Sequence, residues 1–491
     1  MAFHLPFCDP RFIFRWLVVV ARRLVSAILP HGRKPILTDL LIDLLPLLMF
    51  LSLMALMFTG YPIGLVLGGL AVAYGALGIA LDIFSFAEFF IFVPRVWLFA
   101  ENLQLIAVPL LIFMGVMLER SQLAKDLLET LHLLLRAIPG GTAISVAVMG
   151  VLFAAITGVV GASVIMLTLI ALPTMLKAGY RPSLALGTIA ASSTLGILIP
   201  PSILLVFLCE MLQISYGYLF AAAIYPGLTL ALFYVLYIAA VAILDPRAAP
   251  RLVRPDPPLS VAVLWRAFAV GVLPTAILIF LVMGSVLMGI FTITESAAVG
   301  AGGAILLAWI RGNLSFKTLR ESLNRSLMTI GMVAILIIGA TSFAYVFRAL
   351  GGEEVFHALI AAAKLDAMGI LVMAIVTIFI MGFFFDVLEI LLIAMPIFAP
   401  LIAPLDFGDH IALDLVPYWF AILVAITLQT SFLTPPMGLS LFYIKGVAPP
   451  SVTMKQIYVG IVPFVLLQLA CVAVVLKWPA LVTVLPRQIF G

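Results

Sequence analysis

Apolar residues in this chain fall in long runs parted by short polar stretches. Runs at residues 40–58, 63–81, 219–244, 267–291, 297–310, 327–346 and 457–476 read as membrane-crossing helices. At about 20 residues per crossing, the pattern predicts roughly a dozen segments, some of them re-entrant. Two apolar stretches break in the same way. ILIPPSILLVF at residues 197–207 returns as FLTPPMGLSLF at residues 432–442, with five of eleven aligned positions identical. A Pro-Pro pair removes two N–H donors and stops a continuous helix, which lipid tolerates only where protein or a water-filled cavity surrounds the break. Matching breaks in two halves of one chain point to a transporter binding site.

The repeat extends beyond the prolines. FTGYPIGLVLG from Phe58 resembles FTITESAAVGA from Phe291, and residues 158–173 (GVVGASVIMLTLIALP) resemble residues 381–396 (MGFFFDVLEILLIAMP). The series ends on Pro226 and Pro463. The interval from Pro396 to Pro435 is twelve residues longer than that from Pro173 to Pro200, and the polar, acidic stretch 405–417 is the natural insertion. Four ordered anchors divide the chain into an N-terminal basic, amphipathic segment (1–39), a first repeat (40–244), a polar linker (245–266) and a second repeat (267–491).

Composition narrows the class. The 491 residues are 65% hydrophobic and 10% charged, too apolar for a soluble surface, so the expected fold is an all-α polytopic membrane protein. The net charge of +4 reflects clustered basic residues, the positive-inside pattern rather than a nucleic-acid footprint. Three cysteines without a CxxC, and five histidines without partners at ligand spacing, leave no disulfide framework and make metal chemistry unexpected. No Walker A, HExxH or GxSxG pattern is present, so no enzyme is expected. Residues 12–29 carry Arg15, Arg22 and Arg23 and suggest an interfacial helix or a short extra crossing, not a cleaved leader. Residues 118–138 read as an amphipathic helix along the membrane surface.

Charge counting conflicts with inversion of the repeats. Arg247, Arg251 and Arg254 place the linker in the cytoplasm, as Arg311, Lys317, Arg320 and Arg325 do for the next loop. The basic N-terminus reads the same way, which would start both halves on one side unless it holds an extra crossing or lies along the interface.

Chemistry-bearing residues gather at the breaks. Pro200 and Pro201 release the carbonyls of Gly196 and Ile197, and Pro435 and Pro436 those of Ser431 and Phe432. Ser192, Ser193, Thr194 and Gly196 flank the first break; Thr430, Ser431, Thr434 and Gly438 flank the second. Free carbonyls and hydroxyls suit a weakly held hard cation, and helices restarting after the prolines present N–H groups to an anion. The plainer alternative is two kinked helices whose hydroxyls bond back to their own backbone. Upstream of each break lies a second interruption: Gly158, Gly161 and Ser163 in the first half, Asp386 and Glu389 in the second. The acidic pair at i, i+3 shares a helix face and marks either a functional site or an ion pair, with Arg348 or Lys445 as partners. Glu295, after Thr292, reads as a helix cap.

The blocks GASVIMLTLIALPTMLKAGY, TIAASSTLGILIPPSI, TITESAAVGA, FFDVLEILLIAMPIFAP and LQTSFLTPPMGLSLFYIKGVAP resemble the large membrane subunit of tripartite ATP-independent periplasmic (TRAP) transporters, the DctM-like family. The resemblance runs from about Leu40 to the C-terminus. The last two blocks look most like a subgroup labelled for chloroaromatic or mannitol-type substrates. The resemblance implies a Na⁺-driven secondary importer of organic anions, commonly carboxylates, in a bacterial inner membrane. It implies a periplasmic binding protein and a small membrane subunit as partners, no cofactor, and an elevator of scaffold and transport domains with two re-entrant hairpins. By position, Gly161, Ser163, Ser193, Thr194, Gly196, Asp386, Thr430, Thr434 and Gly438 are then expected at Na⁺. Ser192, Pro200, Pro201, Glu389, Gln429, Ser431, Pro435 and Pro436 are expected at substrate. Ser193 stands where the family often has glycine, which is expected to narrow or re-ligate one cation site. No long N-terminal fusion precedes the repeats, which implies a separate small subunit. Two other classes remain: a dicarboxylate symporter that needs no binding protein, and an ABC-type permease, whose EAA-like coupling loop is not found here.

Overall fold

The computed structural model describes residues 35–121, 123–135, 138–157, 160–250, 260–435 and 438–491. The basic N-terminus through Lys34, together with Arg136, Gly158, Arg251, Arg254 and Pro436, lies outside the described residues. Those described are helical, with no strand among them. In chain order the helices begin with α1 (Pro35–Met57), α2 (Ile63–Ala80), α3 (Phe86–Phe89), α4 (Phe92–Glu101), α5 (Ala107–Arg120) and α6 (Leu123–Leu135). The first repeat continues through α7 (Gly141–Thr157), α8 (Val160–Lys177), α9 (Pro182–Thr194), α10 (Ile203–Leu212) and α11 (Tyr216–Leu244). After the linker come α12 (Val261–Gly271), α13 (Leu273–Leu287), α14 (Ile293–Ile310), α15 (Phe316–Ala349) and α16 (Gly352–Ala363). The chain ends with α17 (Ala367–Met381), α18 (Val387–Ile402), α19 (Val416–Ser431), α20 (Leu439–Val447), α21 (Met454–Lys477) and α22 (Ala480–Phe490).

Among the described residues seven helices are long and apolar enough to cross a membrane, or eight if α12 and α13, bent by 42°, form one crossing. The other apolar elements are shorter, including the pairs α7–α8, α9–α10 and α17–α18. Their ends follow the local chemistry. The first Pro-Pro pair separates α9 from α10, with a 3-10 turn at Leu195–Ile197 closing α9. The acidic insertion forms two short 3-10 turns, Gly408–His410 and Leu413–Leu415, between α18 and α19. Thr292 and Glu295 form the expected cap: each side chain takes the other's backbone N–H, at 2.8 and 3.3 Å.

The described helices divide into two compact units that do not follow the repeat boundaries. One contains α1–α4, residues 331–370 and residues 392–397. Its tightest crossing is glycine-lined: a Cβ at Gly339 would stand 2.1 Å from the Gly64 carbonyl oxygen. Phe84 and Phe89 lie against Gly78 and Gly75, and Arg95 stacks 5.2 Å from the Tyr345 ring.

The other unit contains the broken helices, the first hairpin and the tip of the second, residues 371–391. Its core holds Phe207, Phe220, Tyr234, Trp419, Phe420 and Phe464, all fully buried. The 118–138 stretch is not one surface helix. It breaks after Arg120, and the apolar face of α6 (Leu123, Leu127, Leu131) is buried against α7 and α12 instead of lipid. Around this turn charged side chains pair: Arg120 with Glu321 at 2.5 Å, Arg325 with Glu119 at 3.0 Å, and Arg311 with Asp126.

Contacts within this unit settle the orientation of the repeats. Gly187 of α9 meets Gly460 of α21, and further along Thr194 meets Gln468, so α9 and α21 run parallel. Trp419, in the first turn of α19, donates to the carbonyl of Val475 near the end of α21, at 2.9 Å. Helix α19 is therefore antiparallel to α21 and to its own repeat counterpart α9. The repeats are inverted; the basic N-terminus, whose charge count conflicts with inversion, lies outside the described residues.

Candidate functional site

The two breaks sit side by side, because the 3-10 turn before the first packs against α19. Each hairpin is fitted to a serine at a break through a glycine. A Cβ at Gly150 of α7 would stand 2.7 Å from Ser192 Cβ, and one at Gly382 would stand 2.3 Å from Ser431 Oγ. Gly161, half-buried at the start of α8, lies against the Tyr443 ring of α20, where an added Cβ would be 2.9 Å away. Ser163, two residues onward, is buried.

At the first break Pro200 and Pro201 are buried and joined by a cis peptide bond, as is Gly196 in the preceding turn. Ser202 Oγ donates back to the Ile197 carbonyl at 2.7 Å, so it closes the break and does not cap α10. At the second break Gly438 is buried and Pro435 exposed. Helices α10 and α20 both start without a side-chain cap; in the first turn of α20 the Ser440 N–H donates to the Phe432 carbonyl at 3.2 Å, and the remaining first-turn donors face outward from each helix start.

The hydroxyls fall into two groups. Ser193, Thr194, Thr430 and Thr434 donate to carbonyls of their own helices, at 2.7, 2.8, 2.5 and 2.9 Å. This is the arrangement of the plainer alternative, yet it spends only the proton, and oxygen lone pairs remain for a cation. Ser192 Oγ, Ser431 Oγ and both ends of the Gln429 amide are different: all are buried, and none has a hydrogen-bond partner. Such groups cost about 1–3 kcal/mol each when left unmet, so native structures rarely retain them outside functional or hydrated sites.

Asp386 and Glu389 are held by their own helix. Asp386 caps α18, accepting from the Val387 N–H at 2.7 Å, while the Glu389 carboxylate accepts from the Asp386 N–H at 2.9 Å. The i, i+3 spacing is thus a capping box at the second hairpin tip. The partners expected for these acids are engaged elsewhere: Arg348 with Glu353 at 2.6 Å and the Pro396 carbonyl at 2.7 Å, Lys445 with the Val452 carbonyl at 2.6 Å.

One polar group went unread in the sequence. Gln468, fully buried in α21, reaches Thr194 Oγ1 at 3.5 Å, and the hydroxyl of buried Tyr234 lies within reach of both side chains. An amide in the apolar interior of a 24-residue helix was the available signal. Ser440 of α20, buried with an unpartnered hydroxyl, had no such signal.

Comparisons with known proteins agree with this architecture. Residues 50–481 match the family model of the tripartite ATP-independent periplasmic transporter, DctM component. The C4-dicarboxylate TRAP transporter large permease protein of Pseudomonas aeruginosa is 28% identical over 392 residues, covering 79% of this chain and 87% of that one. The ectoine TRAP transporter large permease protein of Halomonas elongata is 28% identical over 381 residues, covering 76% and 84%. In fold, the chain is similar to the YdaH transporter of Alcanivorax borkumensis, with a TM-score of 0.53, 16% identity and coverage of 89% and 98%. A multi-pass helical chain with inverted repeats, two broken helices and a match over nearly its whole length is a transport protein and not an enzyme, and it belongs to the family of TRAP transporter large permease (DctM) components.

Proposed function

We propose that this chain is the permease of a Na⁺-coupled secondary importer of small organic anions, carboxylates foremost, in a bacterial inner membrane. A periplasmic binding protein would deliver the substrate and a small membrane subunit would brace the permease, as in its family. The observation that carries the reading is the set of unmet polar atoms on Ser192, Ser431 and Gln429 beside two uncapped helix starts. An amide and two hydroxyls suit the hydrogen-bonding edge of an anionic substrate, and the starts of α10 and α20 favour its charge. Pro200, Pro201, Pro435 and Glu389 would shape that seat.

Na⁺ would be held at the edges, by Gly161, Ser163, Ser193, Thr194 and Gly196 at one break and by Asp386, Thr430, Thr434 and Gly438 at the other. Oxygen lone pairs on already-donating hydroxyls, with one carboxylate, make a weak hard-cation site of the kind coupling requires. One relative is named for C4-dicarboxylates, which supports a carboxylate as the cargo. Movement of the hairpin-bearing part as an elevator would carry both cargoes together.

Proteoliposomes containing this chain, its small subunit and its binding protein test the reading. Uptake is expected to follow an inward Na⁺ gradient and to ignore ATP; uptake unchanged without Na⁺ would overturn the coupling. Gln429→Leu sharpens the test. Removing an unmet buried amide is expected to leave the melting temperature equal or higher while uptake falls at least about tenfold. A variant that still transports at the parent rate would remove Gln429 from the seat.

A further inference from the structure

A cavity lies away from the breaks, between α6 and the α7–α8 hairpin. It encloses about 340 Å³, within the roughly 300–1,000 Å³ of small-ligand sites. Lys125, Glu129 and His132 line it from α6, Thr142 from α7, and Leu169 and Thr174 from α8. The three α6 residues stand at i, i+4 and i+7 and so share one helix face. Lys125 Nζ and Glu129 Oε1 are 3.8 Å apart, both side chains more than half exposed. Thr142 is 3% exposed, and its buried hydroxyl lies within reach of the Tyr180 hydroxyl. Leu169 is 55% exposed and gives the cavity an apolar margin.

Two further facts define what fits. The cavity adjoins the turn where Arg120, Arg311 and Arg325 gather, the end that the positive-inside rule assigns to the cytoplasmic leaflet. Its charged lining is balanced, with one ammonium and one carboxylate beside an imidazole. An anionic head group would meet Lys125 and then face Glu129; a zwitterionic one satisfies both. We propose that this cavity binds the phosphoethanolamine head group of a cytoplasmic-leaflet phospholipid. The phosphate lies toward Lys125 and His132 and accepts from the Thr142 hydroxyl. The primary ammonium donates to Glu129, and an acyl chain leaves over Leu169. A lipid so placed wedges α6 against the first hairpin, a position from which it tunes hairpin movement without touching the transported cargo.

The full chain, purified in nanodiscs of equal phosphatidylethanolamine and phosphatidylglycerol, is examined by native mass spectrometry after partial delipidation. One phosphatidylethanolamine is expected to be retained per chain, at least about fivefold over phosphatidylglycerol. Glu129→Gln is expected to erase that preference, and Lys125→Ala to weaken retention of both lipids. Both side chains are largely exposed, so the variants are expected to remain folded, and an unchanged melting temperature checks this. Titration of the parent chain with glycerophosphoethanolamine or inorganic phosphate separates head-group binding from simple phosphate binding. Equal retention of the two lipids by the parent chain, or displacement by inorganic phosphate as effective as by glycerophosphoethanolamine, overturns the proposal.

Discussion

Gly187→Val is expected to prevent this chain from reaching its folded state. A Cβ at that position would stand 2.0 Å from the carbonyl oxygen of Gly460 and 2.5 Å from its carbonyl carbon. The obstacle is backbone, so no rotamer change relieves it. Nor can α21 yield locally, because a Cβ at Gly460 would itself stand 2.1 Å from the Ser183 carbonyl oxygen. Valine adds two further methyl groups to a contact without room for one carbon. Overpacking of this kind costs about 3 kcal/mol or more, a large part of the stability of a typical fold. Gly302→Val is the matched control, since nothing lies within 4 Å of its added Cβ. In detergent-solubilised preparations the Gly187 variant is expected to lose its monodisperse elution peak, while the Gly302 variant elutes and melts like the parent. A Gly187→Val chain melting with the parent would mean that α9 and α21 are not in backbone contact.

The second large effect is on transport. Asp386 combines two roles that one substitution can separate. As a cap it satisfies the first turn of α18, worth about 1 kcal/mol, and serine can replace it there. As a carboxylate at the hairpin tip it would supply the negative charge a Na⁺ site needs, which serine cannot. Asp386→Ala is therefore expected to lower both the melting temperature and uptake. Asp386→Ser is expected to restore the melting temperature and leave uptake at least about tenfold down at limiting Na⁺, equivalent to about 1.4 kcal/mol. Parent-like uptake by Asp386→Ser would reduce the residue to a cap.

What could be read in the chain was local. The Pro-Pro pairs announce the breaks because proline's missing N–H acts wherever it stands. Thr292 and Glu295 declare a helix start because a capping box spans only four residues. Asp386 and Glu389 show the same spacing, and their burial in an apolar run drew attention from the cap to the charge. What could not be read depends on distant pairs. Thr194 and Gln468 are 274 residues apart, and Gly150 reveals nothing about Ser192 until the hairpin is folded. The inversion was obscured for a different reason. Counting arginines weighs a basic N-terminus equally with the true loops, whereas the contacts of Thr194 and Trp419 report direction without reference to charge.

The antiparallel course of α9 and α19 has an electrical consequence. Each broken helix carries aligned peptide dipoles along its crossing, and a membrane potential acts on such dipoles as on separated charges. Because the two crossings run in opposite senses, the potential pulls one as it pushes the other, and the torque on the pair nearly cancels. In the elevator movement proposed above, these two helices would add little voltage dependence of their own. Any steep voltage dependence in the transport current would then count the ions and substrate charges that travel, at about 2.3 kcal/mol per elementary charge per 100 mV.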